Sequence, residues 1–202
     1  MKGVCHVVGA GRIDPALLPE KKESDLILAA DGGLEYLSRA GKTADLFIGD
    51  GDSLGYLPTS LPVLSLPCEK DDTDMIAACR HGLFLGYRRF RLYGALGGKR
   101  FSHSLANLQT LFFLKSHGAE GEIVDPYCRV LLLEAGTLTL AASDGYFSLF
   151  AAGGEAEVSV SGAKYNVNRA RVTPDFPLGV SNEARENTRI TVHSGCLIVV
   201  VE

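Results

Sequence analysis

The chain has 202 residues, enough for one or two domains at ~100–200 residues each. Hydrophobic residues make up 46% and charged residues 22%, a globular composition that excludes disorder. The net charge of −4 argues against a nucleic-acid partner, which would need a concentrated basic surface. No run approaches the ~18 apolar residues of a membrane span. The cysteines Cys5, Cys68, Cys79, Cys128 and Cys196 are odd in number and widely spread, without a C-x-x-C pair or zinc spacing. They read as reduced thiols of a cytoplasmic protein.

In chain order, VCHVVGA reads as a buried strand rather than a signal peptide. DLILAAD is a second strand, ending at Asp31, and LEYLSRAG is a helix closed by Gly41. DLFIGD is a third strand. Between Thr73 and Leu85, Met75, Ile76, Cys79 and Leu83 recur at helical spacing. FRLYGA is a strand, with Arg89 and Arg91 on a solvated face. SHSLANLQTLFFLKSHG is a helix that should turn Leu105, Leu108, Leu111 and Phe112 inward and stop at Gly118. Strands and helices in alternation predict a parallel sheet covered by helices. After about Asp125 the runs are short and β-rich: VLLLEAGTLTLAA, GYFSLFAA, EAEVSVSGA and RARVT. TRITVH and CLIVVVE, joined by Ser194-Gly195, carry the signal of a hairpin. The fold class expected is an N-terminal parallel-sheet α/β nucleotide-binding domain, residues 1–125, followed by a C-terminal antiparallel β-sandwich domain, residues 126–202.

Three acidic segments, ADGG (30–33), IGDGDS (48–53) and EKDDTD (69–74), fall where strands should end or a helix begin. Ligands of open parallel sheets bind at those ends. Asp50 and Asp52 are two apart and share one side of an extended backbone; Asp71 and Asp74 are three apart and share a face of a first helical turn. With Asp31 they make an oxygen-rich pocket of the kind Mg²⁺ takes alongside substrate phosphates. Asp71 and Asp74 also have the spacing of an N-cap and its N3 partner, and Asp52-Ser53 that of a turn. The repetition of the pattern in successive β/α units favours the metal site.

YGALGGKRFSH (93–103) joins a strand to a helix. Its glycines allow close approach of backbone to a phosphate, and Lys99 and Arg100 add charge near a helix N-terminus. The loop is not a Walker A motif, since the spacing is one residue short and Arg100 stands where Ser or Thr would hold the metal. Gly9-Ala10-Gly11 is a weaker signal, lacking the third glycine of a dinucleotide fingerprint. His6, His81, His117 and His193 are isolated and read as surface or satisfied core residues.

The succession ADGG, GDGDS, KDDTD, GGKRFSHSLANL, GAKYNV and GVSNE resembles the thiamine pyrophosphokinase family, over the stretch from Asp31 to about Glu183. The resemblance implies transfer of a pyrophosphoryl group from ATP, with Mg²⁺, to the thiamine hydroxyl. The hydroxyl attacks the β-phosphorus in line and AMP leaves. It also implies an α/β nucleotide domain, a β-sandwich and a homodimer. By position, Asp50, Asp52 and Asp74 are the metal-associated and catalytic carboxylates, with Asp31 and Asp71 beside the phosphates. Lys70, Lys99 and Arg100 are ATP-phosphate contacts, Arg100 also stabilising the transition state. Tyr165, Ser181 and Asn182 belong to the thiamine site. Two positions depart from the family pattern. Ser102 replaces an Asp, leaving His103 or Asp72 as substitutes; Gly51 replaces a bulky apolar residue, predicting a looser loop. Three other readings are a pyrophosphokinase for another heterocyclic alcohol, such as a pterin, a non-catalytic module binding thiamine diphosphate or a nucleotide, and a phosphohydrolase that releases AMP without an acceptor.

Overall fold

The computed structural model describes residues 2–67 and 72–202. Lys70 and Asp71, expected beside the phosphates, and Cys68 therefore lie outside the described residues. The chain divides into two compact units, Met1–Pro126 and Tyr127–Glu202. It is a mixed α/β protein.

In the first unit, β1 (Cys5–Val8), β2 (Leu26–Ala30), β3 (Leu46–Gly49), β4 (Val63–Ser65), β5 (Arg89–Tyr93) and β6 (Glu120–Val124) form the sheet. Every pairing is parallel, in the order β6-β5-β1-β2-β3-β4. β1, β2 and β3 are almost wholly buried, as strands covered on both faces must be. The helices are α1 (Gly33–Arg39), α2 (Asp74–Phe84) and α3 (Phe101–Ser116). Val8, Ile27, Leu34, Leu37, Phe47 and Tyr93 form one core, on the α1 side. On the other face Gly82 of α2 lets the helix approach Cys5 and Phe90, where a Cβ would be crowded to under 3 Å. Cys5 and Cys79 are buried there, and burial pushes both thiols up, away from ionisation.

One expectation is corrected here. The buried stripe of α3 is Ser104, Asn107, Thr110, Leu111 and Leu114, whereas Leu105 and Phe112 are exposed. Both stripes have helical spacing, so periodicity alone does not choose between them. Polar groups do: Asn107 and Thr110 are accepted inside because each bonds a backbone carbonyl, Ala95 O at 2.7 Å and Ala106 O at 3.2 Å. At α2 the N-cap is Thr73, whose hydroxyl accepts from Ile76 N, which makes Asp74 the first helical residue.

The second unit is antiparallel throughout. Its strands are β7 (Arg129–Leu133), β8 (Gly136–Leu140), β9 (Tyr146–Ala151), β10 (Ala156–Ala163), β11 (Val167–Val172), β12 (Gly179–Ser194) and β13 (Leu197–Val201). The long β12 serves two groups of strands. Its first residues pair with β9, and residues 188–194 pair with β8 and β10. Buried residues of both groups, among them Phe147, Leu149, Val158, Ile190 and Val199, share one core. The expected Ser194-Gly195 hairpin does not form. β13 pairs with β7 and β9, not with β12, so the turn carries the chain from one group to the other. The physical reason is burial: Ile190 and Val192 on one side and Leu197, Val199 and Val201 on the other all face the shared core, where a hairpin in one sheet would not enclose it.

Candidate active site

The strand order of the first unit reverses at β1. The chain runs outward through β2, β3 and β4, then returns to place β5 on β1's other side. A crevice opens at such a reversal, beyond the carboxyl ends of the strands. Here it is a cleft of about 820 Å³, lined by the loops that follow β1, β2, β3 and β5 and by the start of α2.

The wall after β2 and β3 is acidic. Oxygens of Asp31, Asp50 and Asp52 lie within 4.8 Å of one another. Asp31 is buried and holds a positive φ of 46°, a conformation that Asp and Asn tolerate better than other side chains. Its amide bonds Ile48 O at 2.9 Å, which ties the turn after β2 to β3. Asp50 Oδ1 accepts from Asp52 N at 3.2 Å, an Asx turn. Between them Gly51 has φ of 77°, and a Cβ there would come within 2.7 Å of Tyr56 O. Gly51 O accepts from Leu54 N and Gly55 N, so this loop is tightly wound rather than loose.

Burial raises the Asp31 carboxyl above its ordinary value. Hydrogen bonds from Ser53 and the Gly32 amide oppose that rise, and the charges of Asp74 and Asp52 add to it. Asp31 Oδ1 is buried with no hydrogen-bond partner among the described residues. An orphaned carboxylate oxygen beside two further carboxylates fits a hard divalent cation such as Mg²⁺, which supplies the missing charge. Asp74 lines the same cleft but stands outside the close group of three. Asp31, expected in support, thus stands in the close group with Asp50 and Asp52.

The opposite wall is glycine-rich and basic. Gly94, Gly97 and Gly98 have φ between 59° and 89°, and Lys99 and Arg100 follow into the cleft. The N-cap of α3, Arg100, makes no side-chain cap bond, and His103 N donates to Arg100 O at 3.1 Å. Gly9-Ala10-Gly11 belongs to this wall too. Gly9 N bonds Tyr93 O and Gly11 N bonds Gly94 O, both at 2.8 Å. A Cβ on Gly11 would come within 2.5 Å of the Gly94 and Leu96 carbonyl oxygens. The signal for this segment was the second glycine pair after a second parallel strand, visible once β1 and β5 are known to be neighbours. Of the substitutes for the family's Asp, His103 and Asp72 line the cleft, Asp72 also pairing with Arg80 at 2.9 Å.

The remaining expected residues lie in the second unit. Tyr165 is exposed at 61%. Asn182 is committed to the backbone: its Oδ1 accepts from Tyr165 N and Glu183 N, and its Nδ2 donates to Tyr165 O at 2.8 Å. Ser181 has a positive φ of 58°, its amide donating to Ser148 Oγ at 3.0 Å. Asn182 thus binds the turn that carries Tyr165 to the strand that carries Ser181.

A parallel α/β unit with carboxylates facing a glycine and basic loop across a switch-point cleft defines a phosphate-handling, nucleotide-binding class of protein. Residues 19–122 match the family model of the thiamin pyrophosphokinase catalytic domain, and residues 137–198 that of the thiamin pyrophosphokinase vitamin B1 binding domain. The chain belongs to the thiamin pyrophosphokinase family. Among solved structures it is similar to thiamin pyrophosphokinase from Geobacillus thermodenitrificans, with TM-score 0.82 and 26% identity over 99% of this chain and 97% of that one. Thiamine pyrophosphokinase from Bacillus subtilis has TM-score 0.86 and 22% identity, covering 99% of each chain, and the yeast enzyme has TM-score 0.81 and 15% identity, covering 100% of this chain and 86% of that one. No curated protein matches the chain. No helix among the described residues is long and apolar enough to cross a membrane.

Proposed function

We propose that this chain is a thiamine pyrophosphokinase, transferring a pyrophosphoryl group from ATP to the thiamine hydroxyl to give thiamine diphosphate and AMP. The observation that carries the reading is the Asp31, Asp50 and Asp52 group facing the Gly94–Arg100 loop across one cleft. The N-terminal domain, residues 1–125, acts as the ATP- and Mg²⁺-binding domain. The second, 126–202, acts as a β-sandwich domain that takes thiamine through Tyr165, Ser181 and Asn182. The enzyme works as a cytoplasmic homodimer.

In this reading Asp31, Asp50 and Asp52, with Asp74 beside them, hold Mg²⁺. The bound ion would neutralise charge on the triphosphate. The glycine loop seats the phosphates through backbone amides, and Lys99 and Arg100 stabilise charge building on the transferred group. The hydroxyl attacks the β-phosphorus in line; the new O–P bond forms as the bond to the α-phosphate oxygen breaks, AMP carries away that electron pair, and a carboxylate of the cleft accepts the hydroxyl proton. Positioning and electrostatics carry most of the rate, as in phosphoryl transfer generally. Incubation with ATP, Mg²⁺ and thiamine tests this. AMP in step with thiamine diphosphate is expected; ADP with thiamine monophosphate, or no product, overturns it. A pterin alcohol in parallel separates the acceptor class.

A further inference from the structure

Among the described residues, the cleft's basic wall holds a cation beside Lys99 and Arg100 that none of the expected site residues includes. Arg12 follows Gly9-Ala10-Gly11 at the carboxyl end of β1 and lines the cleft beside Gly97, Gly98, Lys99 and Arg100. Its backbone is locked to the glycine loop, Arg12 N donating to Leu96 O at 2.8 Å. Gly97 packs on it so closely that a Cβ there would meet Arg12 Cβ at 3.0 Å. One edge of its guanidinium is bound by Asp125 at the end of β6: Nη2 to Oδ1 at 2.8 Å and Nε to Oδ2 at 3.2 Å. The Asp125 side chain is only 1% exposed, whereas that of Arg12 is 44% exposed. A bidentate carboxylate behind a part-exposed guanidinium fixes its plane and removes much of the rotamer freedom a flexible cation would lose on binding. The loops after β1 and β5 flank the switch point itself, so Arg12 stands where the phosphates of a nucleotide enter.

We infer that Arg12 is a further ATP-binding residue that contacts triphosphate oxygens from the glycine-loop wall, and that Asp125 is its positioning residue. This rests on the ATP-dependent reading of the cleft. Among the described residues Arg12 joins Lys99 and Arg100 as cations lining the cleft that the carboxylates also line. Guanidinium chemistry selects the phosphates rather than the base or ribose, so its loss should discriminate between a nucleotide and a nucleoside.

The experiment measures binding of α,β-methylene-ATP and of adenosine to wild type, Arg12→Met and Arg12→Lys by titration calorimetry with Mg²⁺, with circular dichroism for folding. Arg12→Met is expected to weaken the ATP analogue by tenfold to a hundredfold, on the order of one charge-assisted hydrogen bond, with adenosine changed less than about twofold. Arg12→Lys is expected to recover part of the loss, since a lysine keeps the charge but not the bidentate grip on Asp125. Asp125→Asn is expected to raise KM for ATP more than it lowers kcat. Equal weakening of both ligands, or no weakening of either, overturns the inference. If Arg12→Met fails to fold, Arg12→Lys is read by the same criterion against wild type. Discrimination between analogue and adenosine in an enzyme that releases no AMP with thiamine would sink the proposed function while leaving this inference standing.

Discussion

Asp31→Asn is the substitution that most directly tests the carboxylate group. Asn has the same shape and is among the few side chains at ease at a φ of 46°, so the backbone should not respond. What changes is one charge. At 4.8 Å, the outer limit of the group, two carboxylates repel by about 1–3.5 kcal/mol for an effective dielectric between water and about 20. Burial of Asp31 adds to that cost, and its orphaned Oδ1 gains nothing in return from the described residues. In EDTA the variant should therefore be more stable than wild type. Taking the lower figure, because Asp52 is exposed, the gain is about 1 kcal/mol, or about 2–4 °C in Tm at this chain length. Mg²⁺ should reverse the order: it raises the Tm of wild type by mass action and that of the variant far less. Thermal melts in EDTA and in Mg²⁺, with AMP release measured alongside, make the comparison. The folded carboxyl is raised, so the metal-free protein loses Asp31's contribution as pH climbs through the folded value, and Asp31→Asn should flatten that slope. A variant less stable than wild type in EDTA, or one that gains as much from Mg²⁺, would refute the reasoning.

Gly33→Ala should be severely destabilising, by about 3 kcal/mol or more, because its Cβ would overlap the Val8 carbonyl oxygen, backbone that cannot swing away; urea unfolding checks it. Asn107→Leu strands Ala95 O in the buried base of the glycine loop and should cost about 1–3 kcal/mol, read as a lower Tm. His6 is buried, and burial lowers its basicity against the raising effect of Asp25. Its contribution is therefore fully present above pH 6.5 and is lost as pH falls toward the lower folded value. His6→Gln should show a shallower loss of stability over that range in urea melts at several pH values. Arg100→Ala should lower kcat on the order of a hundredfold if it stabilises transition-state charge, with a smaller change in KM; a rise in KM alone would reassign it to ground-state binding.

The sequence by itself determined the elements whose signal is local. Strands β1, β2 and β3 are short apolar runs and β5 an alternating one, each closed by Gly or Asp, and two helices end at Gly41 and Gly118, each with positive φ. The acidic loops and the basic glycine loop were legible for the same reason, being polar punctuation at strand ends. β4 and β6 were not, because three residues between prolines, and EGEIV with its glycine and two charges, carry too little pattern of their own. The inward face of α3 and the partner of β13 failed as local readings. Each is decided by which surfaces must be buried together, a property of the packed unit rather than of any window. Within the site, residue types could be read but not distances. That Asp31 rather than Asp74 closes on Asp50 and Asp52, and that Gly9–Arg12 joins the glycine loop, follow from parallel pairing of strands far apart in the chain. The pairings β2 with β3 and β1 with β5 set those neighbours, and no spacing in the sequence encodes them.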